Sequence, residues 1–155
     1  MAIEEGKAAP KFTLNDATGS KVALKDLKGK NVIVYFYPKD DTPGCTKEAE
    51  GFRDNWKEIK KLNTVILGIS PDDEESHEKF VKKYKLPFTL LCDPKRKVME
   101  KYGAYGEKMM YGKKTIGVIR STVWIGTNGK VIKHWKRVPK AADHPQKVLE
   151  AIRGD

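Results

Sequence analysis

Between Asn31 and Tyr37 the chain reads Asn-Val-Ile-Val-Tyr-Phe-Tyr, an apolar and aromatic run with no alternation, as expected of a strand covered on both faces. Thr64–Ser70 and Phe88–Cys92 repeat that pattern and predict two more buried strands. Between them the period changes. Ala49, Phe52, Trp56, Ile59 and Leu62 recur at helical spacing and predict an amphipathic helix over Thr46–Leu62. Pro71-Asp72-Asp73 opens a second helix that runs to about Tyr84, and a short one is expected near Lys97–Tyr102. Phe12–Leu14 and Lys21–Leu24 flank Asn15–Ser20 as a short N-terminal hairpin. Val118–Ile125 and Val131–Trp135 flank Thr127-Asn128-Gly129-Lys130 as another. Gly103–Gly117 has several glycines and no period, and reads as a long functional loop. The last helix starts at Asp143 as N-cap with Pro145 just inside, and ends near Arg153.

Strands alternating with helices, then a hairpin and a closing helix, predict an α/β sandwich with a mixed central sheet. The order suits a thioredoxin-like fold with an N-terminal β-hairpin extension and flanking helices. At 155 residues the chain is expected to form one domain, residues 1–155. No apolar run reaches the roughly 18 residues of a membrane span, so no membrane partner is expected. The N-terminus, Met-Ala-Ile-Glu-Glu-Gly, has acids where a secretory signal has bases, which predicts a cytoplasmic protein.

A net charge of +10 raises the question of nucleic acid. Of the 31 basic residues only five are Arg, and the lysines are interleaved with 21 acids. The longest local runs, such as Lys95-Arg96-Lys97, are too short for a binding stripe. A solvated lysine-rich surface accounts for the charge, and no nucleic-acid partner is expected. The two cysteines, Cys45 and Cys92, form no Cys-x-x-Cys, and His77, His134 and His144 are scattered, so neither a disulfide scaffold nor a metal site is expected.

The chemistry gathers in Tyr37-Pro38-Lys39-Asp40-Asp41-Thr42-Pro43-Gly44-Cys45-Thr46-Lys47-Glu48, where a buried strand ends and a helix begins. Ligand sites in α/β sheets form beyond the carboxyl ends of strands. Cys45 falls in the first helical turn, where free N–H groups and the positive end of the helix dipole favour thiolate over thiol. The adjacent Asp40 and Asp41 would oppose that charge unless they face solvent, and solvent-facing is the expectation.

Pro38-x-x-x-Thr42-x-x-Cys45 resembles the active-site signature of the peroxiredoxins, and Tyr37-Pro38-Lys39 with Thr42-Pro43-Gly44-Cys45-Thr46 is similar to the bacterioferritin-comigratory or Q-type subgroup. Val65–Ser70, Phe88–Leu91, Tyr105–Lys108, Gly112-Lys113 and Gly117–Arg120 extend the likeness over most of the chain. The resemblance implies a thiol-dependent peroxidase for hydrogen peroxide and organic hydroperoxides, without a cofactor, recycled by thioredoxin or a similar thiol. It implies that Cys45 is the peroxidatic nucleophile, oxidised to a sulfenic acid. Thr42, the Gly44 and Cys45 N–H groups and Arg120 would stabilise charge on the leaving oxygen, and Pro38 would shield the site. Tyr37 is a candidate for the peroxide pocket. Glu48 is expected either to orient Arg120 or to be an exposed first-turn acid.

The likeness breaks at the resolving cysteine. Many Q-type relatives have a second Cys five residues after the first, where this chain has Glu50, and Glu74–Tyr84 contains none. Cys92, at the end of a strand parallel to Asn31–Tyr37, is either a resolving thiol or a packed one; without it the cycle is one-cysteine. Assembly as monomer or homodimer stays open. A thioredoxin-like disulfide reductase is a rival, against which Glu48 stands where Cys-x-x-Cys needs its second thiol. A non-enzymatic binding or holdase module is another, and it leaves Pro38, Thr42 and Cys45 unexplained.

Overall fold

The computed structural model describes residues 3–154, apart from the Met110 side chain. Met1, Ala2 and Asp155, included in the expected 1–155 domain, lie outside the described residues. A short hairpin, β1 (Thr13–Asp16) and β2 (Lys21–Ala23), leads into β3 (Asn31–Phe36), α1 (Pro43–Asp54) and α2 (Trp56–Lys61). Then come β4 (Thr64–Ser70), α3 (Glu74–Tyr84), β5 (Thr89–Cys92) and α4 (Lys97–Lys101). A hairpin of β6 (Tyr105–Met110) and β7 (Lys113–Val118) precedes β8 (Ser121–Ile125), β9 (Val131–Trp135) and α5 (His144–Arg153).

Seven strands form one mixed sheet in the order β2-β1-β5-β4-β3-β8-β9. Strands β3, β4 and β5 are parallel, whereas β8 runs antiparallel to β3. The N-terminal hairpin is part of this sheet, because β1 pairs with β5. Side chains alternate across β3, so Ile33, Tyr35 and Tyr37 meet Phe52 of α1, Ile59 of α2, Phe80 of α3 and Val148 of α5. Val32, Val34 and Phe36 meet Met99 of α4, Tyr102 and Phe12 on the other face. The unbroken apolar run of β3 is the sequence record of that double burial.

Three elements depart from expectation. Gly103–Gly117 holds a β-hairpin, turned at Tyr111 and Gly112, which both have positive φ (53° and 79°) as a tight primed turn requires. The hairpin stands apart from the main sheet and leaves Met109 and Ile116 exposed. With no face consistently buried, no period of two is imposed on its sequence. The helix predicted over Thr46–Leu62 starts at Pro43, whose fixed φ suits a first turn, and breaks at Asn55. The apolar spacing continues through the break because both helices lay the same face on the sheet. The strand predicted over Val118–Ile125 is interrupted at Ile119 and Arg120, where the chain passes from the outer hairpin to the central sheet.

Candidate active site

The antiparallel register of β3 and β8 pairs Phe36 with Ser121. Arg120, one residue earlier, therefore stands beyond the carboxyl end of β3, over the start of α1. Its Nη2 donates to Cys45 Sγ at 3.3 Å and its Nη1 to Glu48 Oε1 at 2.8 Å. Cys45 is the third residue of α1, within the turn whose N–H groups lack intrahelical partners. Cys45, Glu48, Ala49 and Phe52 share the buried face of α1. A glutamate on that apolar face is the sequence signal that separates its two readings: Glu48 is fully buried and paired. Burial pushes its carboxyl up to about 7 despite the attraction of Arg120. Its second oxygen, Oε2, and the Tyr35 hydroxyl below it are both buried without a hydrogen-bond partner among the described residues.

Gly44 lets the guanidinium come close: a Cβ there would stand 3.2 Å from Arg120 Nη2. Thr42 is the N-cap residue of α1 with extended backbone, and its carbonyl accepts from Thr46 N at 2.8 Å. Its hydroxyl caps no helical N–H and donates instead to the Lys39 carbonyl at 2.9 Å. Pro38 is half-buried beside this loop. Tyr37 is buried, its hydroxyl donating to Asp40 Oδ1 at 2.5 Å.

Asp40 and Asp41 do not both face solvent, and this expectation is corrected. Asp41 is exposed and binds Lys83 and Tyr84 of α3. Asp40 is buried, its Oδ2 meeting Ser76 Oγ and His77 Nδ1, each at 2.7 Å. Those partners neutralise Asp40 locally, so it is compatible with an anion at the other end of the loop. Sequence reasoning missed His77, although it lies on the apolar stripe of α3 with Phe80. Asp40, Asp72 and His77 bring possible metal-ligand atoms within 4.8 Å of one another. Protein donors and acceptors occupy these atoms, so the group reads as a hydrogen-bond network and not as a metal centre.

Cys92 ends β5 at the same edge of the sheet, level with Ser70 of β4. Strand β4 lies between β5 and β3. Two strand spacings, roughly 9.5 Å, therefore separate β5 from β3, the strand that leads through the Tyr37–Thr42 loop to the helix carrying Cys45. Both thiols are free and buried. Burial, reinforced by Glu74, pushes the Cys92 thiol up to about 12.

The sequence profile of the AhpC/TSA family matches residues 6–134. Peroxiredoxin Bcp of Bacillus subtilis is 44% identical over 153 residues, covering 99% of this chain and 97% of that one. Among solved structures, Xanthomonas campestris peroxiredoxin Q superposes with a TM-score of 0.86 at 36% identity, covering 92% of this chain and 90% of that one. The X. campestris bacterioferritin comigratory protein, described for its alkyl peroxide reduction activity, gives 0.89 at 33% identity over 97% and 98% of the two chains.

Proposed function

Because the chain belongs to the AhpC/TSA family and is a peroxiredoxin, a thiol-dependent peroxidase, we propose that Cys45 is its peroxidatic nucleophile, acting on hydrogen peroxide and organic hydroperoxides. The observation that carries this assignment is the 3.3 Å bond from Arg120 Nη2 to Cys45 Sγ at the N-terminus of α1. A fixed cation and the free N–H groups of a first helical turn both favour negative charge on that sulfur.

The thiolate attacks the distal peroxide oxygen. An S–O bond forms, the O–O bond breaks, and the leaving oxygen departs as water or alcohol after taking a proton. Sulfur is oxidised to the sulfenic acid while the peroxide is reduced by two electrons. Negative charge moves from sulfur to the leaving oxygen, so donors already in place stabilise the transition state more than the ground state. Arg120 and the Gly44 and Cys45 N–H groups supply them. Thr42 takes the complementary part: with its proton committed to Lys39, its oxygen is free to accept the hydrogen of an incoming hydroperoxide. Pro38 limits water at the rim. Tyr37 acts from beneath, through Asp40, and not as pocket lining.

Recycling is read as a one-cysteine cycle. An external thiol, thioredoxin or one like it, attacks the sulfenic sulfur, forming a mixed disulfide and releasing water; a second external thiol then attacks the mixed disulfide, leaves as the oxidised external disulfide, and frees Cys45 as thiolate with loss of a proton. Cys92 is poorly suited to resolve it, being buried and held protonated by its surroundings. Two buried free thiols fit the reducing cytoplasm, where we place the reaction. We read residues 1–155 as one thioredoxin-like peroxiredoxin domain.

The test is peroxide consumption by Cys45→Ser with dithiothreitol as reductant. Turnover is expected to vanish while circular dichroism stays unchanged. Retained turnover refutes the assignment.

A further inference from the structure

The carboxyl end of β3 does not pass straight into α1. Pro38–Thr42 intervenes and settles where the N-terminus of α1, and hence Cys45, is placed. Two acids in that loop bind opposite ends of α3. Asp41, with φ of 56°, is held in the left-handed region by Lys83 Nζ at 2.7 Å and Tyr84 Oη at 2.8 Å. These groups are exposed to solvent. The tie at Asp40 is buried, with His77 fully so.

Counting donors around His77 settles its protonation. Nε2 lies 2.8 Å from the Leu91 carbonyl, which can only accept, so Nε2 carries a hydrogen. Nδ1 lies 2.7 Å from Asp40 Oδ2. That carboxyl also receives the Tyr37 hydroxyl on Oδ1 and the Ser76 hydroxyl on Oδ2, the environment of an ionised acceptor. Nδ1 is then a donor as well, and the ring is an imidazolium. Every other ionisable group around the ring favours the same state or is neutral. Asp72 lies at the β4–α3 turn, where its Oδ2 receives Asp40 N and Ser70 Oγ. Tyr37 at the end of β3 and Cys92 on β5 are held protonated by burial. Burial opposes a charge on His77, but the Asp40 carboxylate, the Leu91 carbonyl and Asp72 outweigh it and raise its affinity for the proton.

We propose that His77 is a positioning residue of the peroxidase reaction: as an imidazolium locked between Asp40 and the Leu91 carbonyl, it fixes the loop that delivers Thr42 and Cys45 to the N-terminus of α1. The connection is short. Asp40 adjoins Lys39, whose carbonyl receives the Thr42 hydroxyl at 2.9 Å, and Thr42 is the N-cap residue of the helix that carries Cys45. Losing the charge on His77 removes one of the four ties on Asp40, leaving Tyr37, Ser76 and Asp72, and so loosens the neighbouring Lys39 carbonyl and the orientation of the Thr42 oxygen. Misplacement of about 1 Å in such a group costs up to about a hundredfold in rate. The tie joins the loop to α3 and β5, elements that contribute no atom to the chemistry.

The inference rests on Cys45 being the group that is oxidised, and the test reads that oxidation directly. In stopped flow, His77→Gln, which keeps an amide donor and loses the charge, is expected to slow sulfenic acid formation at Cys45 about tenfold at pH 7. The wild-type rate is expected to fall on the alkaline side as His77 loses its proton, and the variant to lack that limb. A folded variant with a rate within twofold of wild type, or with the same alkaline limb, overturns the proposal. Nitrogen NMR of wild-type His77 decides independently should the variant not fold: two protonated ring nitrogens at pH 7 are expected, and one overturns it. If wild-type Cys45 is not oxidised at all, it is the functional assignment that has failed.

Discussion

Glu48 accepts a 2.8 Å hydrogen bond from Arg120 across 72 residues of sequence, with the acid fully buried. Even when Glu48 is ionised, a buried ion pair of this kind contributes little net stability, since desolvating both charges offsets most of their attraction. Its consequence is geometric. With Nη1 held by Glu48, the planar guanidinium has little freedom, and Nη2 is left pointing at Cys45 Sγ.

Gly44→Ala separates activity from stability. A methyl group at this position would meet Arg120 Nη2 at 3.2 Å and displace the guanidinium by a few tenths of an ångström. Alanine also improves helix propensity by up to about 1 kcal/mol. The expected outcome is a several-fold lower rate of Cys45 oxidation in stopped flow, with urea unfolding unchanged or shifted to higher midpoint. A fall in both would place the effect in the fold.

Thr42→Val removes the hydroxyl that binds the Lys39 carbonyl and, on our reading, accepts the hydrogen of the peroxide. Sulfenic acid formation is expected to slow about a hundredfold. The stability loss should stay near 1 kcal/mol, the worth of one partly exposed hydrogen bond. Thr42→Ser, which keeps the oxygen, is expected to retain most of the rate. Equal rates for valine and serine would remove the hydroxyl from the reaction.

Glu48 makes a distinct contribution to stability against pH. Its carboxyl is raised from 4.5 to about 7 by burial, so over that interval the native state holds a proton that the unfolded state has released. Stability from this group is fully present below about 4.5 and is lost as pH rises to about 7. The full linkage is at most about 3 kcal/mol. Glu48→Gln should remove this slope, so the difference in unfolding free energy between variant and wild type shifts in the variant's favour from pH 4.5 to pH 8. Parallel profiles would contradict the assigned protonation.

Cys92→Ser should leave the first oxidation unchanged. Burial and Glu74 push this thiol up to about 12, so it stays protonated at pH 7 and does not compete as a nucleophile. Mass spectrometry after one equivalent of peroxide is expected to find the oxidised sulfur at Cys45 and no 45–92 bridge. A bridge in the wild-type protein would make Cys92 the resolving thiol and end the one-cysteine reading.

Local patterns made much of this molecule legible in advance. The doubly buried strand Asn31–Phe36, the helix after it and Cys45 in the first helical turn all follow from short-range rules: apolar period, proline placement and helix-end chemistry. The β6–β7 hairpin was not legible, because an outlying ribbon with no consistently buried face writes no alternation into its sequence. Of the two acids between Tyr37 and Cys45, only the exposure of Asp41 could be read from what a thiolate at Cys45 would require. Asp40 is buried because partners 36 and 37 residues away, Ser76 and His77, supply its hydrogen bonds.

A dozen consecutive residues encode the end of a buried strand, a turn and a helix start, which is enough to predict alternating strands and helices there and to single out Cys45 as the candidate nucleophile. The surroundings of that sulfur come from contacts distant in sequence. Antiparallel pairing of β8 with β3 brings Arg120 to Cys45, the buried face of α1 presents Glu48 to hold it, and β4 separates Cys92 from β3. Such contacts depend on strand order and register, which the packing of the whole chain sets and no local stretch contains.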